Sequence, residues 1–199
     1  MTVFRDREEA GEKLAEKLHE GEMVLAIPRG GVVVGKVVAD ELGLPLQVVV
    51  TKKIGAPGQE ELAVGAMGPD GRVTWDKGLM TTLGLSPDNL VPQIKNAKLK
   101  IKNYKLKFKV QESSMADKAI VLVDDGIATG STMEAAIKYL RAKRYPPRAI
   151  TVAVPVCAME AYEKLQGWAD EVVCLWIPEL FEAVGQFYES FPQVTDEEV

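Results

Sequence analysis

Short apolar runs alternate along the chain with amphipathic stretches whose apolar residues recur every three or four positions. A short apolar run predicts a buried strand, and the three-and-four spacing predicts a helix with one apolar face. Their alternation predicts an α/β fold with a central, mostly parallel sheet flanked by helices. The predicted strands are Met23–Ile27, Leu46–Thr51, Lys118–Val123, Ala149–Val154 and Glu171–Leu175, and the predicted helices are Asp6–Leu18, Val32–Leu42, Ser131–Ala142 and Met159–Gln166.

The middle of the chain departs from this alternation. Residues 54–61 are rich in Gly, Pro and polar residues, which predicts a mobile loop. Strands at Leu62–Ala66 and Arg72–Trp75 are predicted to form a hairpin. A long helix is predicted from Ser86 to Lys109. Its apolar stripe consists of Ile94, Ala97, Ile101, Tyr104 and Phe108.

Composition narrows the class of protein. The 199 residues suffice for one domain with its own core, and 47% hydrophobic with 27% charged residues is typical of soluble globular proteins. No apolar run approaches the roughly 18 residues of a membrane span. The acidic N-terminal stretch lacks the basic start and apolar run of a secretory signal. We therefore expect a cytoplasmic protein with no membrane partner.

Charge and the rarer residues add further limits. The net charge of -5 argues against a nucleic-acid partner, so an anionic ligand would need a local positive site. Seven lysines and no acids between residues 95 and 109 fit a solvated helix face, although some could attract a polyanion. Cys157 and Cys174 show no metal or disulfide pattern and are predicted to be small buried residues on strands. His19 is predicted to be exposed.

The stretch IVLVDDGIATGST joins a buried strand, two adjacent acids and a loop of small residues that leads into a helix. Ligands of open α/β sheets bind at this edge. The loop Ala128–Thr132 can direct backbone N–H groups and hydroxyls at a phosphate, and Gly130 allows close approach. Neither P-loop nor G-x-G-x-x-G spacing is present, which disfavours nucleoside triphosphates and dinucleotides.

Asp124 and Asp125 come directly before this loop. They could accept hydrogen bonds from sugar hydroxyls or hold the water ligands of Mg²⁺, because carboxylate oxygens suit this hard cation. In the alternative, Asp125 only caps the turn and Asp124 is solvated. The apolar strand that precedes the two acids favours the first interpretation.

The same stretch resembles the diphosphoribose-binding signature of the type I phosphoribosyltransferases, in which apolar residues precede D-D, three variable residues and T-G-x-T. Gly126 stands where many members carry an apolar residue. The resemblance implies that the acids contact the ribose hydroxyls of phosphoribosyl pyrophosphate (PRPP) and that residues 128–132 hold its 5′-phosphate. The residues concerned are Asp124, Asp125, Ala128, Thr129, Gly130, Ser131 and Thr132.

A transferase would also need donors opposite this loop, because pyrophosphate gains negative charge as it leaves. The loop PRGG follows the first predicted strand and offers the Arg29 guanidinium with the backbone of Gly30 and Gly31. A plain turn with Arg29 in solvent is the alternative. The resemblance implies pyrophosphate binding here and a non-proline cis peptide near Arg29.

Two further segments resemble parts of the family. TKKIGAPG resembles a basic pair before a mobile loop that closes over the reaction centre, which makes Lys52 and Lys53 pyrophosphate candidates, with a solvated pair as the alternative. Arg29 and Lys53 thereby join the two acids as candidate catalytic residues. The closing segment IPELFEAVGQFYESF is apolar enough to dock. It resembles the C-terminal stretch of 6-oxopurine transferases and makes Phe181, Ala183 and Val184 base-side candidates, with core packing as the alternative.

The whole chain resembles bacterial phosphoribosyltransferases of undefined substrate. We expect a phosphoribosyltransferase that uses Mg-bound PRPP and a nitrogen acceptor, such as a purine-like base, and releases pyrophosphate. A PRPP-binding regulator without turnover is the main alternative, and a sugar-phosphate hydrolase or kinase is a third. The expected type I fold is a single domain, 1–199, with a hood from 1–20 and parts of 76–115 and 176–199. A cytoplasmic homodimer in nucleotide metabolism is expected with it.

Overall fold

A computed structural model of the protein describes residues 3–108, 115–143 and 146–199. The last position of the predicted long helix and of the lysine run, residue 109, lies outside the described residues. The chain divides into two compact units, which are Met1–Val49 with Gln111–Gly130 and Arg144–Val199, and Val50–Val110 with Ser131–Lys143. The single-domain expectation, with its hood segments, stays a prediction.

The first unit contains a parallel sheet whose strands follow one another in the order Leu46–Val48, Met23–Ala26, Ala119–Val123, Ala149–Val156 and Glu171–Trp176. Val24, Leu25 and Leu122 are fully buried, as expected for strands with both faces covered. The strands are β1 (Met23–Ala26), β2 (Leu46–Val48), β6 (Ala119–Val123), β7 (Ala149–Val156) and β8 (Glu171–Trp176), and the helices of this unit are α1 (Arg7–Ala15), α2 (Gly30–Leu42) and α6 (Met159–Gln166). The predicted parallel sheet is confirmed.

One face of this sheet is covered by the apolar sides of α1 and α2. Leu14 of α1 and Val34 and Val38 of α2 are fully buried and pack in one cluster with Val24 and Val121 of the strands. Gly35 allows α2 to lie close to β1, since a Cβ at this position would be 2.8 Å from Cβ of Ala26.

The order of the strands places a topological switch point between β1 and β6. Chain progress from β1 leads to β2 on one side, and progress from β6 leads to β7 on the other. The two strands pair in parallel with Ala26 opposite Val123, so the loops that follow them leave the sheet at the same level. Ligands of open α/β sheets bind at such a switch point.

The second unit contains an antiparallel sheet, in which the strand Gln59–Met67 lies between Lys52–Ala56 and Val73–Trp75. The pairing of Gln59–Met67 with Val73–Trp75 confirms the predicted hairpin. The strands are β3 (Lys52–Ala56), β4 (Gln59–Met67) and β5 (Val73–Trp75), and the helices are α3 (Lys77–Thr82), a 3₁₀ turn (Pro87–Leu90), α4 (Val91–Phe108) and α5 (Ser131–Arg141). Ala97 and Ile101 of the predicted α4 stripe are buried.

The prediction of a loop at residues 54–61 is wrong, because most of this segment belongs to the hairpin of β3 and β4. Its turn is at Gly58, whose φ of +75° suits glycine. The register shifts on both sides of Gly55, where a Cβ would lie 2.3 Å from the Glu60 carbonyl oxygen. The glycines that suggested a loop therefore accommodate a bulge and a tight turn. The strand predicted to reach Thr51 also ends earlier, at Val48.

The C-terminal segment packs within the first unit, which confirms the prediction that it docks. Phe187 and Tyr188 are buried with Phe4, and residues 4 and 188 form a parallel β-bridge. A 3₁₀ turn spans Val184–Phe187 within this segment. In the part of the chain that is described, no helix is both long and apolar enough to cross a membrane.

Candidate functional site

The two adjacent acids follow β6, and each carboxylate is held by the surrounding protein. Asp124 Oδ1 accepts a hydrogen bond of 2.9 Å from the Asp125 backbone N–H. Asp125 Oδ2 accepts one of 2.7 Å from Nε of Arg7, whose side chain is only 8% exposed. The alternative in which Asp125 only caps a turn does not describe this buried, charge-assisted pair.

The PRGG loop lies against the same two acids. A Cβ on Gly30 would lie 1.8 Å from Asp125 Oδ2, and one on Gly31 would lie 2.8 Å from Cα of Asp124. Only glycine fits where the backbone comes this close, so the contact explains both residues. The peptide bond between Pro28 and Arg29 is cis, which confirms the expected non-proline cis bond.

Arg29 itself is exposed at the end of β1. Its Nη1 lies 3.9 Å from Asp196 Oδ1, and the two side chains are each 42% exposed. A pair of this length and exposure contributes little to stability. The guanidinium is thus accessible to solvent beside the glycines.

The loop after the acids is anchored to the end of β7 and then opens to solvent. Ile127 donates its backbone N–H to Val156 and accepts from the Ala158 N–H, both at 2.9 Å. Ala128 and Thr129 are exposed, and Gly130 has φ +78°, which favours glycine. Ser131 and Thr132 begin α5 directly after it. The chain therefore has the strand-loop-helix form that suits an anion at the helix N-terminus.

Two residues around Asp125 were not predicted from the sequence. Arg7 comes from the first turn of α1, and Tyr188 donates a hydrogen bond of 2.6 Å from its hydroxyl to the Asp125 carbonyl oxygen. Burial raises the pKa of the Tyr188 phenol, and the negative charge of Asp125 raises it further, so the hydroxyl stays protonated as a donor. These contacts join positions 118 and 63 residues apart, which no local spacing reveals.

A family model described as the phosphoribosyl transferase domain matches residues 4–191. The chain belongs to this family. The predicted type I phosphoribosyltransferase fold is confirmed.

Curated relatives agree with this membership. "Putative phosphoribosyl transferase Rv0571c" of Mycobacterium tuberculosis is 40% identical over 205 residues, which cover 100% of this chain and 46% of the relative. A second relative, from another strain of the same species, "Putative phosphoribosyl transferase MT0597", matches equally. The chain thus spans about half the length of the curated relatives it matches.

Solved structures show the same fold. The crystal structure of TT1426 from Thermus thermophilus is 39% identical, with a TM-score of 0.79, and the match covers 100% of this chain and 96% of that one. The adenine phosphoribosyltransferase (APRTase) of Giardia lamblia complexed with 9-deazaadenine is 14% identical, with a TM-score of 0.50 and coverage of 85% and 77%. At that identity, the likeness shows the fold alone.

The base-side candidates lie on the C-terminal segment. Phe181 and Val184 are half-buried in the apolar cluster around Phe187, and the rings of Phe181 and Phe187 are 5.3 Å apart. Ala183 is exposed, and its N–H donates to Gln186 Oε1 at 3.1 Å. Phe181 and Val184 therefore pack against the apolar core with part of their surface, as the core-packing alternative expects.

Val184 also contacts the phosphoribosyltransferase motif. A Cβ on Gly126 would lie 2.5 Å from Cγ1 of Val184 and 2.9 Å from Cγ1 of Val156. Valine side chains cannot swing away from such a clash, because χ1 is their only free torsion. The departure at Gly126 is thus accounted for, since Val184 fills the space that an apolar side chain would take.

Lys52 and Lys53 belong to the second unit, at the start of β3. Lys53 is exposed, whereas the Lys52 ammonium lies 4.3 Å from the centroid of the Tyr104 ring in a cation-π contact. Lys52 is therefore not a freely solvated residue. Their role toward pyrophosphate stays a prediction.

The acid pair suits a hard divalent cation held through water. Mg²⁺ usually keeps several waters and takes one or two carboxylates together with substrate phosphates. Asp124 and Asp125 offer that number, and the described residues contain no group of three or more His, Cys, Asp or Glu side chains that could form a cage. Because Arg7 already binds one oxygen of Asp125, the pair fits a water-mediated ion better than direct double coordination.

Proposed function

We propose that this chain transfers the phosphoribosyl group of PRPP to a ring nitrogen of a purine-like acceptor and releases pyrophosphate. The observation that carries this proposal is the meeting of the PRGG loop and the acid pair at the ends of β1 and β6, where Gly30 leaves no room for a Cβ beside Asp125. A sugar placed there would have a phosphate loop on one side and Arg29 on the other.

In the proposed reaction, the bond between C1 of the ribose and the pyrophosphate oxygen breaks as the acceptor nitrogen bonds to C1. Positive charge then develops on the sugar ring, as in other glycosyl transfers. Asp124 and Asp125 would accept hydrogen bonds from the ribose hydroxyls, and residues 128–132 would hold the 5′-phosphate. Arg29 with the backbone of Gly30 and Gly31 would hold the leaving pyrophosphate.

Asp124 and Asp125 would hold Mg²⁺ through its water ligands. When bound, the ion would neutralise charge on the pyrophosphate. Positioning of the two reactants by the loops would supply most of the remaining rate enhancement. Lys52 and Lys53 remain candidates for the same leaving group.

We assign an aromatic acceptor with amino or ring N–H donors to the C-terminal segment because of its family resemblance, since Phe181, Ala183 and Val184 are not among the residues that line the cavity there. The segment lines a cavity of about 740 Å³ whose walls include apolar side chains and two carboxylates. Carboxylates accept hydrogen bonds from such donors and repel acidic rings. The lining residues are Trp176, Ile177, Pro178, Glu179, Leu180, Glu182, Gln186 and Phe187.

Pyrophosphate release is the decisive measurement. The protein would be incubated with PRPP, Mg²⁺ and a panel of purine and pyrimidine bases, and we expect release with at least one purine-like base. PRPP binding without release from any base would favour the regulator. Absence of PRPP binding would contradict both functions.

Substitutions in the motif test the site itself. Asp125→Asn and Thr129→Val should each weaken PRPP binding by about ten- to a hundredfold, the effect of a lost charge-assisted hydrogen bond. Thermal unfolding must show that each variant is folded at the assay temperature, because Asp125→Asn leaves the buried Arg7 without its ion pair. Thr81→Val, at an exposed threonine of α3, is the matched control. Unchanged PRPP affinity in both motif variants would contradict the assignment.

An Arg29 variant distinguishes the proposed pyrophosphate side of the site from the proposed 5′-phosphate side. Arg29→Ala should lower turnover while leaving ribose 5-phosphate affinity nearly unchanged, because the guanidinium is assigned to pyrophosphate and not to the 5′-phosphate. An equal loss for both ligands would contradict this division. The cytoplasmic location, the homodimer and the role in nucleotide metabolism stay predictions.

A further inference from the structure

Arg7 is a charged residue that the first unit buries almost completely. It is the first residue of α1, and its side chain is 8% exposed. The other arginine of this segment, Arg5, pairs with Asp6 at 2.9 Å while 63% exposed. A buried guanidinium loses its hydration, and hydrophobic residues of similar volume often stabilise a fold equally well. Stability alone is therefore a weak reason for an arginine at this position.

The guanidinium makes three separate contacts. Nε donates to Asp125 Oδ2 at 2.7 Å, and Nη1 donates to the Pro192 carbonyl oxygen at 2.8 Å. The central carbon lies 3.7 Å from the centroid of the Phe191 ring. Arginine suits this arrangement because its planar group stacks on a ring while its N–H groups donate in fixed directions.

Asp125 is held from further sides as well. Tyr188 donates to its backbone carbonyl at 2.6 Å, and Gly30 packs against the same carboxylate oxygen that Arg7 binds. The second motif acid is thus oriented by α1, by the C-terminal segment and by the PRGG loop. A carboxylate with one oxygen bound in this way has its other oxygen preset for a ligand.

We infer that Arg7 is a positioning residue, which orients the Asp125 carboxylate so that its Oδ1 can accept a hydrogen bond from a ribose hydroxyl. This inference rests on the proposed function, because it assigns a sugar to Asp125. Arg7 does not touch the substrate. It also ties Pro192 and Phe191 to the acid pair, so that the C-terminal segment must be docked for the sugar site to be complete.

Arg7→Met tests this role, because methionine keeps much of the side-chain volume and removes the charge and the donors. We expect PRPP to bind about tenfold more weakly, since a carboxylate free to rotate makes a poorer charge-assisted hydrogen bond. Arg7→Lys keeps the charge but lacks the planar group that stacks on the ring and donates in fixed directions, so a loss of about threefold is expected. Arg5→Met, at the exposed neighbour, should bind PRPP as the wild type does.

A double-substitution cycle with Asp125→Asn separates positioning from general structural damage. If Arg7 acts through Asp125, then Arg7→Met should cause no further loss of PRPP affinity in the Asp125→Asn background. The double variant also avoids the unpaired buried charge that could unfold the single one, so the comparison remains available. Steady-state kinetics should show a raised KM for PRPP with a smaller change in kcat.

Calorimetric PRPP titrations, with thermal unfolding of each variant, give distinguishable outcomes. A wild type that does not bind PRPP contradicts the proposed function itself. A wild type that binds, with Arg7→Lys or a folded Arg7→Met binding equally well, overturns the inference about Arg7. Losses that add in the double variant overturn it too, because additivity means that Arg7 acts independently of Asp125.

Discussion

At the scale of single residues, the glycines around the acid pair leave no space for a Cβ. Gly30 and Gly31 lie against the carboxylates, and Gly126 lies against Val184 and Val156. The chemistry of the motif residues is therefore only part of the site. The surrounding residues must leave space for the backbone as well as supply hydrogen bonds.

Gly126→Ala should lower the free energy of unfolding by about 1–3 kcal/mol, because its Cβ would overlap Val184 Cγ1 at 2.5 Å. Val184→Ala in the same chain should recover part of this loss, since it removes the nearest clashing methyl group. Gly167→Ala is the control, with only the Lys164 carbonyl oxygen nearby at 3.4 Å. Urea unfolding measures all of these variants, and equal stability of Gly126→Ala and wild type would contradict the packing described.

The buried thiol of Cys157 should make the protein less stable at alkaline pH. Burial raises the pKa of its thiol from 9.0 to about 12. The native state then keeps a proton that the unfolded chain releases, so stability should fall as pH rises from about 9 to 12, by at most about 1.4 kcal/mol per pH unit. Cys157→Ala should show a shallower decline in urea unfolding than wild type. Parallel declines would show that the thiol does not contribute.

At the scale of elements, α1 both covers the sheet and carries Arg7. Its N-cap is Asp6, whose side chain accepts a hydrogen bond from the Glu9 N–H at 2.9 Å. That backbone hydrogen bond and the neighbouring Arg5 lower the pKa of Asp6. A lowered pKa means that the cap stabilises the fold above the ordinary value of 3.8 and that this stabilisation is lost as pH falls below it.

Asp6→Ala should therefore lower the free energy of unfolding by about 1 kcal/mol at neutral pH, the usual effect of losing an N-cap. Because α1 holds Arg7 over Asp125, PRPP affinity should fall with it. Glu12→Ala, an exposed position of the same helix, is the control. A destabilised Asp6→Ala protein with unchanged PRPP affinity at a temperature where it is folded would show that α1 and the site are independent.

At the scale of the whole molecule, the net charge of -5 means that a polyanionic ligand relies on local groups. PRPP with Mg²⁺ should raise the melting temperature, because a ligand at about a hundred times its Kd stabilises a protein by about 2.7 kcal/mol. ATP with Mg²⁺ should have little effect. Stabilisation by ATP and not by PRPP would favour the kinase alternative.

The sequence determined the features that are local in the chain. Alternating apolar runs and amphipathic stretches indicated the parallel sheet, and a contiguous motif indicated the strand, the acid pair and the loop that leads into the next helix. The PRGG loop and its cis peptide could be predicted because they resemble a family pattern. The hairpin at residues 52–67 could not, since glycines that serve a bulge and a turn have the same composition as a loop.

Only the tertiary structure decided which of these pieces meet. The strand order places β1 beside β6, and the pairing of Arg7 with Asp125 joins residues 118 positions apart. Such contacts depend on the folding of the whole sheet, and periodicity within a short window carries no information about them. The two acids could therefore be identified from the sequence, whereas the residues that contact Asp125 could be identified only from the tertiary structure.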